Sequence, residues 1–519
     1  MAVTLGSVLA DRSMATEQTD YLERILTAHV YAVAVETALD PAPRLSARLN
    51  NRVLLKREDQ QPTFCFKLRG AYNKIARLDD SERARGVIAA SAGNHAQGVA
   101  LAAGRLGCDA LIVMPTTTPA IKTRAVETLG ASVVLHGDSY DEAQGHAEKL
   151  ATDSGRVFVH PYDDPDVIAG QGTVAMEILR QHDEPIHSIF VPVGGGGLIA
   201  GIAAYVKRLR PEVRVIGVEP DDAPSMKTSL EHGEPVRLDR VGLFVDGVAV
   251  KRVGRETFRV CRELVDEIVL VDTDAICAAI KDVFEDTRSI LEPAGALSVA
   301  GAKAYVQSHD LHGETLVAIA SGANMNFDRL RYVSELAELG EHREAILAVT
   351  IPERPGTLRE FCTLLGARNI TAFNYRYADA GAAQVFVGVT VEEREQTAAL
   401  IEQLATHGFH AEDFSANPTA KLHVRHMIGG HAPQARNELL YRFEFPERPG
   451  ALTRFLDSMS PDWNISLFNY RNDGSDHGNV LVGMQVPADE RAQFQRFLDA
   501  LGYAGHDESD NPAYRMFLA

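Results

Sequence analysis

SIFVPVGGGGLIAGIAAYVKRL, residues 188–209, decides the fold. After Ser188 come five apolar residues without alternation, as in a strand buried on both faces. Four glycines follow, Gly194, Gly195, Gly196 and Gly197, and then an apolar helical run. Consecutive glycines lose much backbone entropy on folding. The expense makes sense where the backbone must wrap closely round a guest. At a helix N-terminus that guest is typically a phosphate. A second reading stays open here. G-x-G-x-x-x-G runs through Gly195, Gly197 and Gly201, with Glu219 ending the next strand, which is a dinucleotide-type pattern.

Outward from this stretch the same alternation continues. VLLKRE (53–58), GVIAAS (86–91), DALIVMP (109–115), SVVLHG (132–137), VRVIGVEP (213–220) and TLVAIASG (315–322) read as further buried strands, with helices between them. Helical runs stop at Gly107 and Gly130. Strands alternating with helices predict an α/β fold with a parallel, doubly wound sheet. Such sheets bind ligands beyond the carboxyl ends of their strands.

Three more motifs fall at strand ends. CFKLRGA (65–71) places Lys67 between Phe66 and Leu68, where burial would make its amine a nucleophile toward an aldehyde. SAGNHAQG (91–98) joins a strand to a helix. The backbone N–H groups at that helix start suit a carboxylate, and Asn94 can hydrogen-bond a phenolic oxygen. SGAN (321–324) closes the last strand with Ser321, a neutral partner for a ring nitrogen. Taken singly, these also read as a surface lysine, an N-cap loop and a helix cap.

Composition removes other classes. The formal net charge is −19, which nucleic-acid phosphates would repel. No apolar run approaches the ~20 residues of a membrane span. Five scattered cysteines, without C-x-x-C or H-E-x-x-H, predict a reduced, cytoplasmic protein with no metal. The first twenty residues lack a secretory pattern.

After residue 335 the texture changes. A charged linker, 336–344, leads into a duplication. PERPG occurs at 352–356 and 446–450, and F-N-Y-R at 373–376 and 468–471, offsets of 94 and 95 residues. A repeat that long is a duplicated small domain. Each copy reads βαββαβ. The expected divisions are 1–335, with two α/β subdomains, then the helical linker 336–344, and copies at 345–425 and 438–519.

Together the four motifs resemble the threonine/serine dehydratases of the tryptophan-synthase-β-like class, the fold type II pyridoxal-phosphate enzymes. The resemblance covers about residues 20–335. It implies pyridoxal 5′-phosphate bound covalently to Lys67, with Asn94 at its phenolic oxygen, Gly194 to Gly197 at its phosphate and Ser321 at its ring nitrogen. It implies Ser91, Gly93, Asn94 and His95 as the substrate carboxylate site. Glu219 and Glu292 stand where similar proteins carry acids near the pocket. The chain departs from the family pattern at Cys65, where relatives have serine. It departs again at Ala92, where racemases have a second serine, which favours elimination over racemisation. A cation-binding acid of some relatives is Ser225 here, so no such metal is expected.

The tail is similar to the paired ACT-like domains of biosynthetic threonine deaminases. This implies α,β-elimination of L-threonine, with L-serine as a second substrate, to 2-oxobutanoate and ammonia, the committed step of isoleucine biosynthesis. It also implies feedback by isoleucine opposed by valine, effector pockets lined by Phe373, Asn374, Phe468 and Asn469, and a homotetramer. Two rivals remain: a nicotinamide-dependent dehydrogenase, which leaves Lys67 and Asn94 unexplained, and an inactive sensor, which has no need of Lys67, Asn94 and Ser321 together.

Overall fold

The structure is a computed structural model that describes residues 20–518, apart from 341–343, 353–356, 367, 369, 376–381, 392–393, 427–434, 447–450, 461 and 473–476. The chain divides into two compact units. The first takes residues up to Thr116, Ala120–Val271 and Ala294–Asn324; the second takes Thr117–Pro119, Asp272–Pro293 and everything from Met325.

The first unit contains strands β1 (Leu39–Pro41), β2 (Arg52–Lys56), β3 (Val87–Ala90), β4 (Ala110–Met114), β5 (Ser132–Leu135), β6 (Val157–Phe158), β7 (Ser188–Pro192), β8 (Arg214–Pro220), β9 (Glu267–Val271) and β10 (Thr315–Ile319). They form two sheets, ordered β1-β2-β10-β7-β8-β9 and β5-β4-β3-β6. Every pairing is parallel except that of β1 with β2. All seven expected strands are present. The additions, β1, β6 and β9, are short or only partly buried, so their sequences lack a continuous apolar run. The strands at the sheet centres, β3 and β7, are buried at every position because helices cover both faces. Gly107 closes the helix Asn94–Leu106 in the left-handed region, φ 63°, as a C-terminal glycine should.

The helix Gly197–Leu209 packs on the helix Pro165–Gln181 almost backbone to backbone. A Cβ at Gly201 would lie 2.4 Å from the Ile168 carbonyl oxygen and 2.7 Å from the Gly172 nitrogen. Gly201, read above as part of a dinucleotide pattern, is therefore a helix-packing glycine.

A cluster of four fully buried charges lies beside the lysine motif. Arg69 donates to both oxygens of Glu58 (2.7 and 2.8 Å) and both of Glu177 (2.6 and 3.0 Å). It also reaches the Val35 carbonyl and the Thr173 hydroxyl. Lys56 meets Glu177 at 2.6 Å and the Thr37 carbonyl at 2.7 Å. Two acids and two bases balance, and the Arg69 fork is fully bonded. The cluster fastens the start of the helix Lys67–Ala76 to β2, to the helix Pro165–Gln181 and to the segment 35–37.

The second unit contains the duplicated tail. Its first copy is β11 (Glu344–Pro352), helix Thr357–Leu365, β12 (Ile370–Tyr375), β13 (Ala382–Thr390), helix Arg394–Thr406 and β14 (His410–Asp413). Its second is β15 (Glu438–Pro446), helix Ala451–Ser458, β16 (Asn464–Asn472), β17 (His477–Gln485), helix Arg491–Leu501 and β18 (Ala504–Asp507). Each forms its own antiparallel sheet, β12-β13-β11-β14 and β16-β17-β15-β18. Each carries a bulge at the same place, between Ile370 and Ala372 and between Ile465 and Leu467.

Each copy ends in a short helix absent from the expected pattern, Pro418–Leu422 and Pro512–Phe517, capped by Asn417 and Asn511. The two caps occupy equivalent positions, and Asn417 donates to Asn511 at 3.2 Å. From there each end crosses to the other copy. Phe517 packs edge-on against Phe386 and Phe414. His423 lies 2.6 Å from the Asn469 side-chain oxygen. The copies thus meet through exchanged ends, while their sheets stay separate.

The linker helix runs Arg329–Gly340, earlier than the expected 336–344, and Glu344 already belongs to β11. The helix Thr273–Thr287 packs against it, which is why both group with the tail.

Candidate active site

Lys67 is the first residue of its helix and is half-buried. Its Nζ donates to the Pro161 carbonyl at 3.3 Å and lies 5.5 Å from the Phe66 ring centre. The residues before it pair antiparallel with the SGAN turn. Cys65 bridges Gly322, Phe66 N–H donates to the Ser321 carbonyl (3.3 Å), and Ala323 N–H donates to the Phe64 carbonyl (2.9 Å). Phe64 holds φ at 52°, an uncommon conformation for a bulky residue, at the turn into this pairing. Two motifs far apart in sequence are thereby placed side by side.

The third motif joins them. Asn324 donates to the Asn94 side-chain oxygen at 2.7 Å. Gly93 precedes the helix Asn94–Leu106 without any side-chain cap, so the first N–H groups of that helix are open to an anion. Gly93 N–H donates to Ser91 Oγ at 3.2 Å. A Cβ built on Gly93 meets no atom within 4 Å, so open space lies over it. His95 is buried and fixed by its Nε2 on the Val159 carbonyl (2.8 Å). Burial first, then the charge of Lys67, push its pKa down to about 3, so the ring is neutral. Its buried Nδ1 has no protein partner.

The tetraglycine loop fits its surroundings only because it lacks side chains. A Cβ at Gly195 would stand 2.2 Å from the Tyr162 ring, one at Gly197 3.1 Å from Tyr162 Cα, and one at Gly194 3.0 Å from Val248 Cα. Gly196, at φ 97°, is the uncapped N-cap of the helix Gly197–Leu209. Backbone N–H groups at that end are held in place: Thr257 and Gly254 both donate to the Gly195 carbonyl.

The residues fit pyridoxal phosphate. The uncapped glycine-lined helix end suits its phosphate. Ser321 Oγ, 3.2 Å from the Ala294 carbonyl, can turn its proton to a ring nitrogen. The orphan His95 nitrogen and the space over Gly93 leave room for a polar guest. A dinucleotide fits worse. Glu219, which would hold the ribose, is fully buried and accepts from Met226 N–H (2.7 Å), Lys227 N–H (2.9 Å) and Ser225 Oγ (3.3 Å), capping the helix Ser225–His232. Burial raises its pKa to about 7 against these bonds. Glu219 is thus a structural cap, and Ser225 serves it as a donor. No group of three or more possible metal ligands occurs among the described residues.

Replacing Gly195 by alanine should cost cofactor affinity roughly 5–150-fold, because Tyr162 must move, and overpacking of this kind costs ~1–3 kcal/mol. Retention of the visible cofactor absorbance through dialysis measures this; full retention would show that the loop tolerates a side chain.

In the tail, strand alternation separates residues expected to line one pocket. Phe373 packs toward its own domain's core with its ring tilted against Phe361, and Phe468 lies edge-on to Phe445. In the second copy the neighbouring position is on the opposite face of the strand, and there Asn469 meets His423 of the other copy. The Asn374 side chain and both P-E-R-P-G turns, from their second residues on, lie outside the described residues. The signal for the exchanged ends was legible: D-x-S-x-N-P stands at 413–418 and again at 507–512, an Asn cap followed by proline.

The family described as pyridoxal-phosphate dependent enzyme matches residues 32–322. The C-terminal regulatory domain of threonine dehydratase matches twice, at 335–424 and 429–518. A biosynthetic L-threonine dehydratase of Burkholderia multivorans is 60% identical over 96% of this chain and 99% of its own. One from Escherichia coli is 53% identical over 98% of both. Among solved structures, the processed form of threonine deaminase isoform 2 from Solanum lycopersicum is 55% identical, with a TM-score of 0.61, over 62% of this chain and 88% of that one. With three of the motifs side by side and the regulatory domain matched twice, the chain belongs to the biosynthetic threonine dehydratases of the pyridoxal-phosphate dependent enzyme family.

Proposed function

We propose that this chain eliminates water from L-threonine, that hydrolysis of the resulting imine takes up water and releases ammonia and 2-oxobutanoate, and that isoleucine bound in the tail restrains it. The observation that carries the reading is the pairing of residues 64–66 with 321–323 beside Asn94, which gathers a lysine, an amide and a neutral serine round one site.

The cofactor, when bound, supplies a conjugated ring that takes up the electron pair left by the departing α-proton. Lys67, at the start of its helix, offers the amine that holds the cofactor and, once released, takes that proton. The N-terminus of the helix Asn94–Leu106 holds the substrate carboxylate over Gly93. The N-terminus of the helix Gly197–Leu209 holds the phosphate. Ser321 would meet the ring nitrogen as a neutral group and leave it unprotonated, which would favour prompt loss of the β-hydroxyl. Ala92 presents no hydroxyl to return a proton from the opposite face.

Steady-state assays on L-threonine and L-serine, with and without isoleucine, test this. Threonine should yield 2-oxobutanoate. Isoleucine should weaken threonine binding roughly 5–150-fold, the usual span of an allosteric coupling, and valine should oppose it. An enzyme that releases no ammonia from threonine, or one indifferent to isoleucine, would refute the corresponding half. The expectation of a cytoplasmic homotetramer belongs to the same reading and is checked by light scattering and fractionation. No described helix is long and apolar enough to cross a membrane.

A further inference from the structure

The SGAN turn has a member without a role so far. The Asn324 amide nitrogen lies 2.7 Å from the Thr63 carbonyl oxygen and 2.7 Å from the Asn94 side-chain oxygen. A backbone carbonyl only accepts, so Thr63 fixes which end of the Asn324 amide faces it: the NH2. The second proton of that same NH2 then meets Asn94, which must answer with its oxygen. Thr63 is buried, which makes the arrangement costly to invert. Once its oxygen is engaged, what Asn94 can offer a ligand is its own NH2.

We propose that Asn324 is a positioning residue: it commits the Asn94 side chain to present N–H donors to the phenolic oxygen of the bound cofactor. This rests on the reading of Asn94 as the ligand of that oxygen. One turn of chain then acts at both ends of the ring, through Ser321 at the nitrogen and through Asn324 and Asn94 at the oxygen. A donor favours the ionised oxygen, and an acceptor in its place favours the protonated one. Orientation of one amide therefore sets the protonation of the ring's oxygen.

The test is a pH titration of the holoenzyme's visible absorbance, with cofactor affinity measured by reconstitution. Asn324→Asp keeps the shape but only accepts, so Asn94 should reverse and turn its oxygen to the ligand. The midpoint of the visible band should rise by about a unit or more, and cofactor affinity should fall. In an Asn94→Ala background the same Asn324→Asp change should add no shift, because the route through Asn94 is gone. Asn324→Ala, which adds no charge, should move the midpoint in the same direction by less, and it carries the test if the aspartate variant does not fold. An unmoved midpoint in the Asn324 variants, where Asn94→Ala alone raises it, overturns the inference. So does an equal shift from Asn324→Asp in both backgrounds. If Asn94→Ala itself leaves the midpoint in place, the reading of Asn94 fails, and the inference with it.

Discussion

Lys67→Ala should release no measurable ammonia from threonine and show no visible cofactor band, while folding normally. The side chain is half-buried at a helix start and donates to the Pro161 carbonyl at 3.3 Å. Its loss opens no large cavity and leaves no buried charge unpaired, so thermal unfolding of the cofactor-free protein should change little. On the roles proposed for Lys67, chemistry would by contrast lose both the covalent anchor and the base. Removing a general base alone typically costs 10²–10⁴-fold, and the loss of attachment adds to it. Alanine retaining a normal rate of 2-oxobutanoate formation would move the catalytic role to another residue.

Arg69→Met should do the reverse, destabilising the fold before it touches chemistry. Arg69 shares its fork between Glu58 and Glu177, and all three are fully buried. Methionine fills similar volume but leaves two acids with Lys56 alone. Breaking a buried ion pair from one side costs about 3–5 kcal/mol. At ~2–4 °C per kcal/mol for a unit of this size, the unfolding temperature should drop by roughly 10 °C. Arg69→Lys keeps the charge without the fork and should recover only part. The pH dependence has a definite sign. Burial alone would raise the Glu58 pKa, but pairing with Arg69 outweighs it and holds the carboxyl below its usual value. The stability this lends is present above the ordinary glutamate range, about pH 4.3, and is lost as pH falls through the lower folded value. The gap between wild type and Arg69→Met should therefore shrink on acidification below about pH 4. A gap that stays constant to pH 3 would mean that the carboxylates are not what Arg69 supports.

Much of this molecule could be read from its sequence, for identifiable reasons. The seven expected strands announce themselves through unbroken apolar runs, which burial on both faces demands and β7 shows best, although β5 turns out to be exposed at both ends. The tetraglycine loop was legible because nothing but close approach explains four glycines, although the nearest neighbour turned out to be Tyr162. β9 escaped notice: EIVLV is only partly buried, and a polar residue opens it. Two subdomains were expected, but which strands belong to which sheet was not visible, since local periodicity carries no information on which strands pair. The role of Glu219 stayed open in the sequence because a strand-end acid suits a ribose as well as a cap on the next helix, and the cap is what it forms. The role of Asn324 could not be read at all. It depends on the direction of a carbonyl contributed by Thr63, far away in the chain.

The exchanged ends of the tail also bear on dilution. A lone copy would leave Phe386 and Phe414 without the Phe517 that covers them, so half a tail could bury that face only by finding a second molecule. Tandem duplication removes the search. The eleven residues 427–437 tie the halves together, and tethers of that order hold their partners at effective concentrations around the millimolar range. Pairing of the halves then becomes a first-order event, indifferent to how much enzyme a cell contains. A sensor built this way reports the amount of amino acid without also reporting the amount of sensor.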